Sequence, residues 1–279
     1  MPDIRLCYPF EDMKEQKNRK RFIFFDIDNT LAVGTPGRQY IPDSAVKAIE
    51  GLRRAGHFTA IATGRAHAMA EDYRRKLGFE NMVSDGGYGI TIDGVLRELR
   101  PLPYEPCLEL VEECKERNIP WAIQIDDSKV RLAPDDRFYE VSQDIYMQTK
   151  VIEGLDLHQY KDIYKLYIAG EYPIENTLVS LKELPYCRYH KTYFFVEPTD
   201  KAYGIRRMVT MLGGNPKDVI VFGDGRNDLS MFTKEWFCVA MGNGVAELKA
   251  KADFVTKDAA DDGILYACQH LGLLDDSQD

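Results

Sequence analysis

Long apolar runs are missing from this chain of 279 residues: no stretch approaches the roughly 18 apolar residues that a membrane span needs. The first twenty residues also lack the apolar core of a signal peptide, so a cytoplasmic protein is expected. Histidine is scarce and scattered, five in all, which argues against a zinc site. The six cysteines, Cys7, Cys107, Cys114, Cys187, Cys238 and Cys268, form no C-x-x-C pair. Cys107 and Cys114 lie seven apart on an expected helix and read as buried core thiols, unpaired in a reducing compartment. Positive charge is in deficit: 36 Lys and Arg stand against 45 Asp and Glu, a net charge of −9. Such a surface is repelled by nucleic acid and by anionic membrane, so neither is an expected partner. An anionic substrate therefore needs a local positive site. The one basic cluster, Lys17, Arg19, Lys20 and Arg21, reads as a solvated lead-in that guards the sticky strand after it. No repeat or low-complexity segment is visible.

What is present is an ordinary globular composition, 44% hydrophobic and 29% charged, long enough for one large domain or two. Phe22 to Phe25 is an unbroken apolar run, as suits a parallel strand covered on both faces. A helix follows Pro42, with Asp43 or Ser44 as cap, Val46, Ile49 and Leu52 as its stripe, and Gly56 as its close. Phe58 to Ala62 reads as a strand, and a second helix runs from about 66 to 77 and ends at Gly78. Strand and helix alternating in short order predict a doubly wound α/β sheet. The middle of the chain differs. Pro101, Pro103 and Pro106 read as a linker. A helix carries Leu108, Val111 and Cys114, and Trp121 to Ile125 and Lys129 to Leu132 read as a hairpin. Further expectations are a helix over 136–148, a strand from Tyr164 to Ala169, a helix carrying Leu178, Leu181 and Leu184, and one long aromatic strand from Arg188 to Val196. These form a separate α+β module over 102–197, inserted into a core made of 1–101 and 198–279. The core texture resumes with a helix from Lys201 to Leu212 and strands at Val219–Phe222, Phe237–Met241 and Phe254–Thr256.

Four short segments carry the chemistry: Asp26-Ile27-Asp28-Asn29-Thr30, Thr63-Gly64-Arg65, Lys201, and Gly223-Asp224-Gly225-Arg226-Asn227-Asp228. Each sits at an expected strand end or helix start. A carboxylate attacks phosphorus only when held in line with the phosphate's charge screened. Asp26, where a buried strand ends, can be that nucleophile. Asp28 can protonate the leaving alcohol and then deprotonate the attacking water. Asp224 adds a third carboxylate, and such hard oxygen ligands select Mg²⁺. Thr63 and Lys201 can hold phosphate oxygens. Each piece alone has a plainer explanation: D-x-D after a strand is common, Thr-Gly-Arg is usually a turn, and a lysine opening a helix is usually surface. An EF-hand reading of Asp26 to Leu31 fails, because its sixth position is not Gly and its flank is a strand. Together, in this order, the four outweigh those explanations, since open α/β sheets bind ligands beyond the carboxyl ends of their strands.

On these motifs the chain resembles the haloacid dehalogenase-like (HAD) superfamily, in its Cof-type phosphatase branch with a C2-type cap. Ala240-Met241-Gly242-Asn243-Gly244 and Ala252-Asp253-Phe254-Val255-Thr256 add to the likeness, which spans about residues 21 to 270. The resemblance implies a Rossmann-like core, with Asp26 as nucleophile and Asp28 as acid and base. It implies Mg²⁺ held by the Asp26 carboxylate, the Asp28 carbonyl and Asp224, with Asp228 orienting Lys201 or a water at the metal. Thr63, Gly64, Arg65, Lys201 and Asn227 would line the phosphate and substrate site. The 137 residues between Thr63 and Lys201 place the cap there, where the family's cap closes over the crevice. Two departures stand out: Asn29 replaces a usual glycine, and Ser84-Asp85-Gly86-Gly87 stands where relatives carry Asn-Gly. The expectation is a Mg²⁺-dependent phosphatase acting through a phosphoaspartate on a small phosphorylated metabolite such as a sugar phosphate, as a monomer or small homo-oligomer. A phosphosugar mutase, a narrow sugar-phosphate phosphatase and a non-catalytic phosphate-binding regulator are the alternatives. Arg188, Lys191 and Tyr193 are candidates to reach the leaving group, although solvent-facing strand positions explain them as simply.

Overall fold

The computed structural model describes residues 19–35 and 38–274. Expectations that fall on Cys7, Lys17 and the rest of the first eighteen residues lie outside them.

Fourteen strands in the described residues form two sheets. The first is built by β1 (Phe22–Phe25), β2 (Phe58–Ala62), β3 (Asn81–Ser84), β4 (Gly89–Ile92) and β5 (Val95–Leu99), with three more from the end of the chain. The second takes β6 (Trp121–Gln124), β7 (Val130–Ala133), β8 (Gln148–Val151), β9 (Lys165–Ala169), β10 (Tyr186–His190) and β11 (Tyr193–Val196). Then β12 (Val219–Gly223), β13 (Phe237–Ala240) and β14 (Phe254–Val255) complete the first, in the order β14-β13-β12-β1-β2-β3-β4-β5. From β14 to β3 the pairing is parallel, and the β3–β4–β5 meander is antiparallel.

Successive side chains of β1 point to opposite faces, and each face has its own core. Ile23 and Phe25, with Ile61, Phe222 and Val239, pack under α1 (Asp43–Arg54) and the C-terminal helix Gly263–His270. Phe24, with Ala60, Val83 and Val221, packs against the helix Lys201–Met211. A strand buried on both sides must be apolar throughout, which is why these runs were readable. This is the expected doubly wound sheet. The chain leaves β1 towards β2 on one side and later returns through β12 on the other. The switch point therefore lies between the carboxyl ends of β1 and β12.

The second sheet, in order β10-β11-β9-β6-β7-β8, packs one face on α3 (Tyr104–Glu116) through Leu110, Val111, Ile123, Leu166 and Phe194. Its other face packs Tyr167 and Tyr193 against Phe138 of the helix Arg137–Ser142 and presents Tyr193 and Phe195 to a crevice.

Several local expectations are corrected here. Pro106 is inside the first turn of α3, where a missing N–H costs nothing, rather than in a linker. The helix expected over 136–148 stops at Ser142, followed by Gln143 at φ 50, and Gln148 opens a strand instead. Of Leu178, Leu181 and Leu184, only Leu181 lies in a 3₁₀ turn; the other two are extended residues that end such turns, and Leu184 precedes a proline that disfavours helix. The long aromatic strand is a hairpin, β10 and β11, turning at Lys191 and Thr192 with no Gly or Pro to announce it. Neither Asp43 nor Ser44 caps α1; Pro42 occupies that position without a side-chain bond. Arg21 is no solvated gatekeeper: it is buried and, like Arg19, pairs with Asp218. Cys107, Cys114, Cys238 and Cys268 are unpaired buried thiols, as expected.

Candidate active site

The four segments meet at the switch point. Asp26 continues β1, its N–H bonding the Phe222 carbonyl of β12 at 3.0 Å, and is buried. Asp224 follows β12 in the same way. The chain then makes a tight turn in which Asp228 Oδ2 accepts the N–H groups of Asp224 and Gly225, both at 2.9 Å. Lys201, the first residue of α5 (Lys201–Met211; the intervening helices being α2, His67–Lys76, and α4, Arg137–Ser142), extends into this corner. Its Nζ donates to Asp26 Oδ1 at 2.6 Å and Asp228 Oδ1 at 2.5 Å. The lone lysine that sequence alone would leave on the surface is 1% exposed.

Electrostatics explain what this corner needs. Burial, and then the neighbouring Asp228, push the Asp26 carboxyl well above its usual range, against the pull of Lys201. Burial and Asp228 push Asp224 up to about 7, with Thr30 Oγ1 donating to Asp224 Oδ1 at 3.0 Å as partial relief. Burial disfavours the Lys201 ammonium, yet Asp228 and Asp26 outweigh that and keep it charged. One ammonium facing three carboxylates leaves negative charge uncompensated. Oxygens of Asp26, Asp224 and Asp228 all lie within 4.8 Å of one another. A compact, oxygen-only, electron-rich set of this kind fits a hard divalent cation such as Mg²⁺. Asp228 has both oxygens committed to Lys201 and the turn, which leaves Asp26 and Asp224 better placed to contact a cation directly.

Asp28 lies at the mouth, partly exposed, and a bidentate clamp holds its carboxylate. Arg65 Nε and Nη2 donate to it at 2.9 and 2.7 Å, and Gln39 Nε2 at 2.8 Å. Burial acts to raise this carboxyl, but Arg65 prevails and holds it below the usual range. Arg65 in turn lies over the Tyr73 ring. Gln39 carries no sequence signal; a single polar residue in a loop becomes visible only through the fold. Thr63 is buried beside Asp26's strand, its Oγ1 accepting the Arg65 N–H at 3.1 Å. Gly64 and Asn227 line the same crevice as Arg65 and Asp28.

The two departures resolve as scaffolding. Asn29 takes φ 56, a left-handed conformation that Asn tolerates. Asp85 is buried and caps α2 by accepting the His67 N–H at 2.9 Å. Gly86, at φ 58, lies against the segment that enters α5: a Cβ there would fall 1.7 Å from the Pro198 carbonyl oxygen. Of the leaving-group candidates, Arg188 forms a bidentate pair with Glu175 and Lys191 sits exposed in the hairpin turn, whereas Tyr193 does line the crevice.

Residues 23–268 match the family model of the haloacid dehalogenase-like hydrolases. The chain belongs to that family. It is accordingly an enzyme, a hydrolase of the phosphatase type. YkrA of Bacillus subtilis (strain 168), provisionally named a phosphatase, is 32% identical over 91% of this chain and 98% of its own. The pyridoxal phosphate phosphatase YbhA of Escherichia coli (strain K12) is 26% identical over 90% of this chain and 98% of its own. Among solved structures, a hypothetical protein of Geobacillus kaustophilus HTA426 superposes with a TM-score of 0.79 at 32% identity, covering 92% of this chain and all of that one. No helix among the described residues is long and apolar enough to cross a membrane.

Proposed function

We propose that this chain is a Mg²⁺-dependent phosphomonoesterase that releases phosphate from a small phosphorylated metabolite through an aspartyl-phosphate on Asp26. The observation that carries this is the corner itself: a nucleophile-grade carboxylate on a strand end, tied to a buried lysine, among carboxylates that need a cation.

Magnesium bound by Asp26, Asp224 and the Asp28 carbonyl would screen phosphate charge and fix the ester against Asp26. Asp26 attacks phosphorus and the ester oxygen leaves. Lys201 and Thr63 hold phosphoryl oxygens as charge shifts onto them, and Asp228 keeps Lys201 in place. Asp28 gives its proton to the leaving oxygen, then takes one from the water that opens the aspartyl-phosphate. The Arg65 clamp favours the ionised form, so the geometry suits this second, basic step best. Residues 102–197 would act as the cap that shuts the crevice and excludes water, over a core of 1–101 and 198–279. Cytoplasmic residence and indifference to nucleic acid and membrane accord with the acidic net charge and the unpaired thiols.

The test is hydrolysis of a generic aryl phosphate. Turnover should appear with Mg²⁺ and vanish with chelator. Metal-independent turnover, or none under any condition, would refute the mechanism.

A further inference from the structure

The crevice has two unlike walls. Its floor is polar, lined by Asp28, Thr63, Gly64, Arg65 and Asn227 beside the buried corner described above. Its roof is contributed largely by the second sheet, and is aromatic. Tyr193 and Phe195 sit two apart on β11 and point to the same face, while Phe194 between them is buried in the opposite core. Their rings stack at 5.4 Å and 29°. Both are braced from behind, edge-on: Tyr193 by Phe138 at 6.4 Å, Phe195 by Tyr167 at 4.9 Å. Tyr193 is also stacked on His190 at 5.1 Å and 19°, so these rings form a preset, packed apolar wall rather than one that a ligand must organise. Met69 of α2 faces the same space, which measures about 740 Å³ with open solvent included.

The charged groups of this roof are few and committed. Lys165 and Glu197, both buried, form an ion pair, and the Lys165 ammonium stands 5.5 Å from the Phe195 ring centroid. Arg65 is held by Asp28 and Gln39. A polyol burying four or five hydroxyls would need a partner for each, or forfeit the hydrogen bonds it had in water. This roof offers an apolar aromatic wall, the phenols of Tyr146 and Tyr193, and one paired donor–acceptor edge.

We propose that the leaving group is a planar unsaturated ring, seated on Tyr193 and Phe195 with one polar edge towards Lys165 and Glu197. The preferred substrates are then phosphate monoesters of ring-bearing alcohols rather than of open or cyclic sugars. This rests on the phosphatase reading and narrows it. Tyr193 and Phe195 are specificity-determining residues.

The experiment compares kcat/KM with Mg²⁺ for benzyl phosphate, cyclohexylmethyl phosphate and glucose 6-phosphate. The first two share a carbon skeleton and a primary alkoxide leaving group and differ in planarity. Wild type should favour benzyl over cyclohexylmethyl phosphate by about 10-fold, as a stacked ring pair implies, and over the hexose phosphate by more. In Phe195→Leu and in Tyr193→Leu the benzyl preference should fall to within about 3-fold, through KM more than kcat. A wild type that turns over cyclohexylmethyl or hexose phosphate as well as benzyl phosphate overturns the aromatic-seat proposal and leaves the phosphatase reading standing. Failure to hydrolyse any of the three, or a generic aryl phosphate, removes both. Because the wild-type ratios decide the matter alone, a poorly folding variant cannot rescue the proposal.

Discussion

Two buried lysines flank the crevice, Lys201 in the corner beside its floor and Lys165 in its roof, and they do opposite things. Lys201, in the floor, stands against Asp26, Asp228 and Asp224, so the floor carries surplus negative charge. Lys165, in the roof, is ion-paired with Glu197 one to one, with the buried Asp85 as a weaker neighbour. Burial disfavours both ammonium groups, and in both cases the carboxylates win and keep the charge. The difference is in what remains afterwards. The floor keeps carboxyls that burial and a like-charged neighbour push up, a perturbation that clusters at functional sites. The roof is already satisfied, as structural ion pairs are.

That contrast can be broken in graded ways. The largest effect should come from Asp26→Asn, which removes the nucleophile: Mg²⁺-dependent turnover of an aryl phosphate should fall by on the order of 10⁴-fold, and wild-type turnover in that variant would end the mechanism. Next, Lys201→Met leaves two buried carboxylates without their counter-ion and should cost about 3–5 kcal/mol in denaturant unfolding, whereas Lys165→Met combined with Glu197→Leu removes a balanced pair and should lie within about 1 kcal/mol of wild type or above it. Equal losses in the two variants would erase the distinction between floor and roof. Third, Asp224→Asn should raise the Mg²⁺ concentration needed for half-maximal activity by about 10-fold or more. The same variant should melt higher than wild type in chelator at pH 8, because a carboxyl pushed up to about 7 by burial destabilises the metal-free protein wherever it must ionise.

The smallest effect concerns the joint between the two sheets. His67 Nδ1 meets Asp127 Oδ2 at 2.7 Å, and the Ala68 N–H meets Asp127 Oδ1 at 2.8 Å, tying α2 to the β6–β7 turn. Burial acts to lower the His67 pKa, but Asp127, with Asp85 and Glu71, outweighs it and raises it above the usual value. A raised folded-state value means stabilisation that is complete below about 6.5 and is lost as pH climbs through the higher folded value. Because both groups are partly solvated, His67→Gln should cost only about 0.5–1 kcal/mol at pH 6, and less at pH 9. A cost that grows with pH would contradict this coupling.

The same two regions differ in how far the residues announce them. β1, β12 and β13 are visible as apolar runs, and β2 as one interrupted only by Thr59, because a parallel strand under two layers of helix tolerates little else. The second sheet has one face on a core and one on a crevice, so its pattern is weaker, and its short strands compete with helix signals. Residues 136–148 therefore look helical throughout, yet Gln143 turns left-handed after Ser142 and β8 pairs in parallel with β7. No local cue marks the β10–β11 turn. In the site, Asp26, Asp28, Thr63, Lys201 and Asp224 are legible because each stands at the end of a readable element. Gln39, Thr30's bond to Asp224, and the aromatic seat are not, because their partners lie in distant segments.

What the residue order determined by itself is the alternation of buried strands and amphipathic helices, and with it the strand ends at which the acidic and basic groups stand. That follows from local periodicity, which every solvent-excluded strand or helix must obey. Tertiary structure alone decided that Lys201 is buried between two carboxylates, that Arg65 is spent on Asp28, and that Tyr193 and Phe195 look into the crevice rather than into solvent. Those outcomes depend on which surfaces meet, and burial, counter-charge and side-chain direction are properties of a meeting, not of a residue.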